Sequence, residues 1–425
     1  MSLLKSSSLI FAGLMIGSIA NYLFQVTMGR ILTVTMYGEL NALFSITAIF
    51  GVPFASLTTY LAKSISHDHA IGRNDSIKLV IKKAYKSIGI AIVVIFLIGG
   101  LFSGFTSERL KMDSIIPVLL LFLYIGISTV TPVNMGILQG LHNFRMISFL
   151  SAGGGVLKYL FGVALVALGL GLNGVMAGMI IAGILVGYLS FIPIKKEMKP
   201  PDGPAMINDD NNSTPLSFFI PVIVANLAFA VLTQSDIIMV KYFFSPEDAG
   251  FYSSAAVIGK TVMYIPGAIV LALFPSVASS KAREEGTMNL ILKALALTVL
   301  MSGGGALVLY FFPGQVISVF FGGKFAQAAH LIGLFAIVML PMAFIMVLMN
   351  YNLARGSCMF VYIMIFCSLF QVAGISVYHN SLKSVLRVIL LSGSLCGLLM
   401  FIALGIEYFG FGAMLNSYRK TQAVH

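Results

Sequence analysis

The sequence predicts an all-α integral membrane protein with about twelve transmembrane helices arranged as two six-helix lobes. Three observations carry this expectation. Hydrophobic residues make up 58% of the 425 residues and charged residues only 10%, whereas soluble domains carry ~25% charge. Apolar runs of the length needed to cross ~30 Å of hydrocarbon recur twelve times. One polar segment then divides those runs six and six.

The runs fall at about 8–29, 37–62, 87–105, 115–138, 149–171 and 174–194 in the first half. In the second they fall at 215–240, 250–278, 290–312, 328–350, 357–378 and 388–407. They are too long for strands of a membrane barrel, which need ~9–11 alternating residues. A helix satisfies its own backbone groups in lipid, so each run reads as a helix. The first run is too long for the core of a cleavable signal and no small-residue cleavage site follows it, so it reads as the first span. The divider is rich in Pro, Asp, Asn and Gly. The expected domains are therefore a lobe at 1–198, a cytoplasmic linker at 199–214 and a lobe at 215–425. Asn211-Asn212-Ser213 in the linker matches a glycosylation pattern, but a cytoplasmic loop would not meet that machinery.

The net charge of +11 would suggest nucleic acid in a soluble protein. Here Lys and Arg accumulate in alternate connections, so the excess reads as membrane topology and no nucleic-acid partner is expected. With both termini cytoplasmic, 16 basic residues fall on the inner side, Lys63, Lys82 and Lys83 among them, and 7 on the outer side. The three cysteines, Cys358, Cys367 and Cys396, lie in apolar stretches without metal spacing and read as packing residues.

Landmarks repeat between the halves. Ala20-Asn21-Tyr22-Leu23-Phe24 in span 1 parallels Ala225-Asn226-Leu227-Ala228-Phe229 in span 7. Gly38 and Pro53 in span 2 parallel Gly250 and Pro266 in span 8. Agreement in both order and spacing favours a true repeat over coincidence. Six spans per repeat give a same-sense pair with its axis along the membrane normal.

Catalytic motifs are absent. Gly259-Lys260-Thr261 resembles the end of a phosphate-binding loop, but Ser254 stands where the first glycine is needed. His67 and His69 read as solvated loop residues, and no metal or other cofactor is expected. No loop could hold a soluble catalytic domain, and the longest outer one, about 313–327, carries a single charge, Lys324. The chain is not expected to be an enzyme.

The informative residues are ionisable groups inside spans, which are expensive there and face protein or water. Lys260 and Lys158 lie about ten residues into spans 8 and 5, Arg30 closes span 1, and Asp236 lies in the outer part of span 7 with Lys241 beyond it. Lys293 and Glu407 sit near span ends, where snorkelling explains them. Lys260, Lys158 and Arg30 either form a cationic interior for an anionic substrate or serve structure. The structural role would be an ion pair with Asp236 or, for Arg30, an interfacial anchor. The substrate reading is preferred for Lys260 and the anchor for Arg30, with Lys158 open. Asp236 is an ion-coupling or an ion-pair candidate. Gly17, Asn21 and Gln25 share one face of span 1, as do Asn226, Thr233 and Gln234 on span 7. They line a wet path or bond between helices. Gly153-Gly154-Gly155 and Gly303-Gly304-Gly305 mark expected close packing or bending.

The order of these features is similar to a known family. Ser235-Asp236-Ile237-Ile238-Met239-Val240-Lys241-Tyr242-Phe243-Phe244 is followed by Gly250-Phe251-Tyr252-Ser253-Ser254-Ala255-Ala256 and Leu273-Phe274-Pro275. Ile137-Leu138-Gln139-Gly140-Leu141-His142-Asn143-Phe144 follows span 4. Together these resemble the polysaccharide flippases of the multidrug/oligosaccharidyl-lipid/polysaccharide exporter superfamily. The resemblance implies a V-shaped exporter of the cytoplasmic membrane. Its partners would be a polyprenyl-pyrophosphate-linked oligosaccharide, the lipid bilayer and other polysaccharide-assembly membrane proteins. Lys260 lies near where relatives that flip the peptidoglycan precursor carry a cavity arginine. Span 1 has no basic residue but Arg30 and the chain has twelve spans rather than fourteen, which argues against that precursor here. Two rivals stand beside this reading. A drug or cation antiporter of the same superfamily should show several deep acids, and an integral-membrane polymerase or ligase should show a large outer loop.

Overall fold

The computed structural model describes residues 3–197, 220–267, 269, 270, 273, 277 and 288–422. Among them every regular element is helical. The first half runs α1 (Leu3–Ile31), α2 (Val34–Ala70), α3 (Asn74–Arg109), α4 (Ile116–Ser128), α5 (Val130–Gly140), α6 (Phe144–Leu165) and α7 (Gly171–Glu197). The second runs α8 (Ile220–Phe243), α9 (Pro246–Gly259), α10 (Thr261–Tyr264), α11 (Met288–Phe311), α12 (Pro313–Phe321), α13 (Ala329–Arg355), α14 (Met359–Val377) and α15 (Leu382–Gln422). The linker expected at 199–214 lies outside the described residues, as does Phe274-Pro275.

Ten helical stretches among the described residues are long and apolar enough to cross a bilayer. One of them, spanning 144–195, contains two expected spans. The chain reverses between α6 and α7 through Val166–Leu170, where Gly169 and Gly171 take φ of 86° and 50°. L-residues with a Cβ rarely adopt such angles, so glycine makes this tight reversal possible. The eighth expected span, 250–278, is described chiefly through α9 and α10. Large apolar side chains are exposed along α3 and α11, with Leu101 at 77% and Leu300 at 71%. Such faces suit lipid rather than water. The chain is therefore a multi-pass, all-helical membrane protein.

The described chain forms two compact units. Unit 1 comprises residues 1–223 with two later segments, 241–254 and 320–324; unit 2 comprises 224–240, 255–319 and 325–425. In unit 1, α2 and α3 extend well past the expected spans, and His67 and His69, expected in a loop, belong to the last turn of α2. At 37 residues α2 is about 55 Å long at 1.5 Å per residue. A buried seam of Leu61, Ile65, Ile77, Ile81, Ile137 and Leu150 holds this extension against α5 and α6.

The glycine triplets behave unequally. A Cβ on Gly155 would meet the Gly17 carbonyl at 2.6 Å, whereas Gly153 has open space around it. Gly303 and Gly304 are likewise open, only Gly305 meets a neighbour, Ile265, and α11 runs through all three as one helix. Tight packing at α1 comes instead from Gly13 and Gly17, whose missing side chains admit the backbone of Ser148 and Ser151 on α6. Four-residue spacing of small residues lets two membrane helices approach closely in this way.

Candidate functional site

In unit 1 the close approach of α1 and α6 brings together two of the expected path residues. Lys158 Nζ donates a 3.0 Å hydrogen bond to Asn21 Oδ1. Asn21 donates from Nδ2 to the Gly17 carbonyl, which leaves its oxygen aimed at the ammonium. The same ammonium lies 4.5 Å from the Phe24 ring centroid and 4.9 Å from that of Phe44. Both are within the ~6 Å reach of cation–π attraction. No described carboxylate stands within ion-pair distance of Lys158. Its charge is held by one amide oxygen and two ring faces, and an ammonium has three protons to donate.

Beside it, Gln25 belongs to a second group. Its Nε2 donates to Asn41 Oδ1 at 3.2 Å, its Oε1 accepts from the Tyr37 hydroxyl at 3.4 Å, and Asn41 Nδ2 donates to the Tyr37 carbonyl. The polar face of α1 is thus divided between α6 and α2. Arg30 is separate: it lies nine residues beyond Asn21, about 14 Å along the helix, and donates from Nε to the Phe320 carbonyl.

Unit 2 holds the other deep lysine. Lys260 follows the last residue of α9, and its Nζ lies 2.9 Å from Asp236 Oδ1 and 2.6 Å from the Thr233 carbonyl. Lysine and aspartate are 6% and 1% exposed. Around them Gln371 on α14 donates to the Leu232 carbonyl and Ser235 Oγ, and accepts from Ser392. Asn226 and Gln234 lie half-buried on α8, and each is engaged with neighbours. Glu407 pairs with Arg355 at 3.3 Å and accepts from Ser357, while Lys293 is exposed, as snorkelling requires.

The sequence reading passed over Glu39. Lys241 is fully buried and lies 3.4 Å from Glu39 Oε1, itself 7% exposed. Glu39 follows the landmark Gly38, but an acid five residues from the start of a helix reads as an interfacial residue. Its partner lies 202 positions away. Phe24 and Phe44 were also missed as partners of Lys158, because an aromatic in an apolar run gives no signal of a nearby charge. Among the described residues no cluster of His, Cys, Asp or Glu could hold a metal ion.

The profile of the family described as "Polysaccharide biosynthesis protein" matches residues 3–281. No curated protein sequence matches the chain. Among solved structures, the fold matches an inward-facing multidrug resistance MATE family transporter of the MOP superfamily. The TM-score is 0.76 and identity 13%, over 95% of this chain and 99% of the other. An outward-facing structure with the same description matches at TM-score 0.66 and 14% identity, covering 93% and 94%. A MOP superfamily transporter from Pyrococcus furiosus Vc1, whose binding pocket is described as of reverse polarity, matches at 0.61 and 15%, also covering 93% and 94%.

Proposed function

Since the chain belongs to the polysaccharide biosynthesis protein family, we propose that it moves a polyprenyl-pyrophosphate-linked oligosaccharide across the cytoplasmic membrane for cell-surface polysaccharide assembly. The transporter fold suits movement of a substrate rather than catalysis. Two repeats at 1–198 and 215–425, exchanging access between the two sides, would carry the cycle. Both termini and the 199–214 linker would face the cytoplasm.

One observation supports an anionic substrate most directly: Lys158 is a cation inside a span with no described carboxylate at ion-pair distance. A pyrophosphate crossing the bilayer carries unfavourable charge of the opposite sign, and attraction in a poorly screening medium offsets part of it. Asn21 and Gln25 would offer amide groups to sugar hydroxyls on the same helix. An organic-cation antiporter would need an acid not already neutralised. Of the described carboxylates, those inside the expected spans, Asp236, Glu39 and Glu407, each lie against a lysine or arginine.

The test is a deletion strain. Loss of the protein should make lipid-linked oligosaccharide accumulate on the inner leaflet and deplete surface polysaccharide. Complementation by the wild-type chain should reverse both, and complementation by Lys158→Ala should not. Unchanged lipid-linked sugar in the deletion strain would overturn the proposal.

A further inference from the structure

The outward face of α3 changes its chemistry within a single turn. From Ile90 onwards it is apolar, and Ile90, Val93, Leu97 and Leu101 are all exposed. At about 100° per residue these four fall within roughly 80° of one another. Followed back towards the start of the helix, the same stripe holds Lys86, Lys83 and Lys82, all three exposed. The buried residues Ile77, Ile81, Ala84, Ile88 and Ile95 lie on the opposite side. The lysines therefore point the way the lipid-facing residues point, away from the rest of the protein.

Their depth is as specific as their direction. Span 3 is expected to begin at 87, so Lys86, Lys83 and Lys82 lie about 1.5–7.5 Å before it at 1.5 Å per residue. That is the depth of a headgroup layer, ~5–7 Å on each side of the hydrocarbon. Across residues 74–90 the one acid is Asp75, and it pairs with Lys78 at 3.3 Å. Among the described residues no carboxylate lies within ion-pair distance of Lys82, Lys83 or Lys86. The other strongly lipid-exposed helix, α11, carries a single charged residue, Lys293. The cluster is therefore particular to α3 and not a general property of the lipid-facing surface.

We propose that Lys82, Lys83 and Lys86 form a binding site for anionic phospholipid of the surrounding bilayer. Headgroup phosphates sit on the three ammoniums, and the acyl chains run along Ile90, Val93 and Leu97. Each ammonium has three protons to donate, and the flexible stems let it settle at the interface. Basic residues grouped at the end of a span attract anionic lipid in this way. Charge alone would suit an acidic protein as well. An acidic protein, however, gains nothing from an apolar stripe that continues from the lysines into the hydrocarbon. A phospholipid is amphipathic in the same order along the helix, so both parts of the surface select it. The proposal does not rest on the exporter reading, since neither Lys158 nor a cargo enters it.

The chain contains no tryptophan, so a single introduced one reports on its own surroundings. Ile90→Trp places the reporter one turn from Lys86. Tyr362→Trp, on the exposed face of α14, is the control, because the nearby Arg355 is paired with Glu407. Each full-length protein is reconstituted in phosphatidylcholine vesicles containing increasing amounts of dibrominated phosphatidylglycerol. Quenching then gives the relative affinity of the two lipids at each position. Ile90→Trp should show at least a threefold preference for phosphatidylglycerol, and Tyr362→Trp a ratio near one. Adding Lys82→Gln, Lys83→Gln and Lys86→Gln together should bring the Ile90→Trp ratio to near one. All three lysines are exposed, so these variants keep the fold. No preference at Ile90→Trp, or one that survives the three glutamines, would overturn the site. So would relief of the quenching by a few mole per cent of a polyprenyl pyrophosphate, which would assign the stripe to a transported lipid instead of the bilayer.

Discussion

Lys158 in unit 1 and Lys260 in unit 2 occupy comparable depths in the sequence, about ten residues into their spans, and the structure treats them in opposite ways. Lys260 is cancelled by Asp236 and capped by the Thr233 carbonyl. Lys158 meets two aromatic faces and one amide oxygen. A buried pair has little charge left to offer a substrate, and separating it is expensive. Cation–π contacts are softer, worth ~0.5–2 kcal/mol, so under the proposed function an incoming phosphate would displace them more readily. The difference teaches that depth in a span marks a cation as significant without saying for what. The neighbour decides how much of the charge is left to meet a ligand.

The largest effect should come from breaking the pair. Lys260→Ala leaves Asp236 buried with its cation gone, and such losses run to about 3–5 kcal/mol. Membrane abundance and thermal stability of the purified protein should both fall sharply. Lys260→Ala with Asp236→Ala should recover most of the loss. Normal abundance of the single variant would erase the contrast between the two lysines. Next, Lys158→Ala should keep abundance near normal and cut export at least tenfold, with Lys158→Arg retaining part of it. These are read by surface polysaccharide at matched protein levels. Full export by Lys158→Ala would remove this lysine from the substrate path.

A smaller effect should follow from Phe44→Leu, which keeps the site apolar but removes one ring face from Lys158. Stability should drop by about 1 kcal/mol, and export should change by less than in Lys158→Ala. The smallest should come from Glu407→Gln. Its pair with Arg355 is roughly a quarter exposed, and exposed pairs contribute ~0–1 kcal/mol. A melting shift as large as that of Lys260→Ala would mean that burial is not what separates these pairs.

The site was legible in part. A lysine in the middle of an apolar run is conspicuous because its hydration penalty is local, so Lys158 and Lys260 could be singled out. Asn21 and Gln25 were visible because a four-residue spacing places them on one face. Their separation was not: whether Asn21 reaches Lys158 while Gln25 reaches Asn41 depends on how far α1 is rotated against α6 and α2. Glu39 was hidden for the opposite reason. At the start of a helix it looks like an ordinary interfacial acid, and only the approach of Lys241 makes it a buried partner. The triplets Gly153–Gly155 and Gly303–Gly305 were conspicuous yet only Gly155 meets backbone, because a glycine permits close packing without requiring it.

What the sequence by itself determined is whatever sums along the chain. The apolar runs, their length and their polar breaks require membrane-spanning helices, since no other regular element satisfies its backbone alone in lipid. Those runs, together with the ordered motifs, were enough to anticipate the family. The tertiary structure alone decided which charges cancel. Each residue turns a helix by about 100°, so a partner's position depends on crossing angles and rotations between helices distant in sequence. Those in turn hang on a few contacts such as Gly17 against Ser151 and Gly38 against Gly250. Hydropathy adds over neighbours in the chain, whereas electrostatics acts between neighbours in space, and so Asp236 met Lys260, Glu39 met Lys241, and Lys158, among the described residues, met two aromatic rings and an amide.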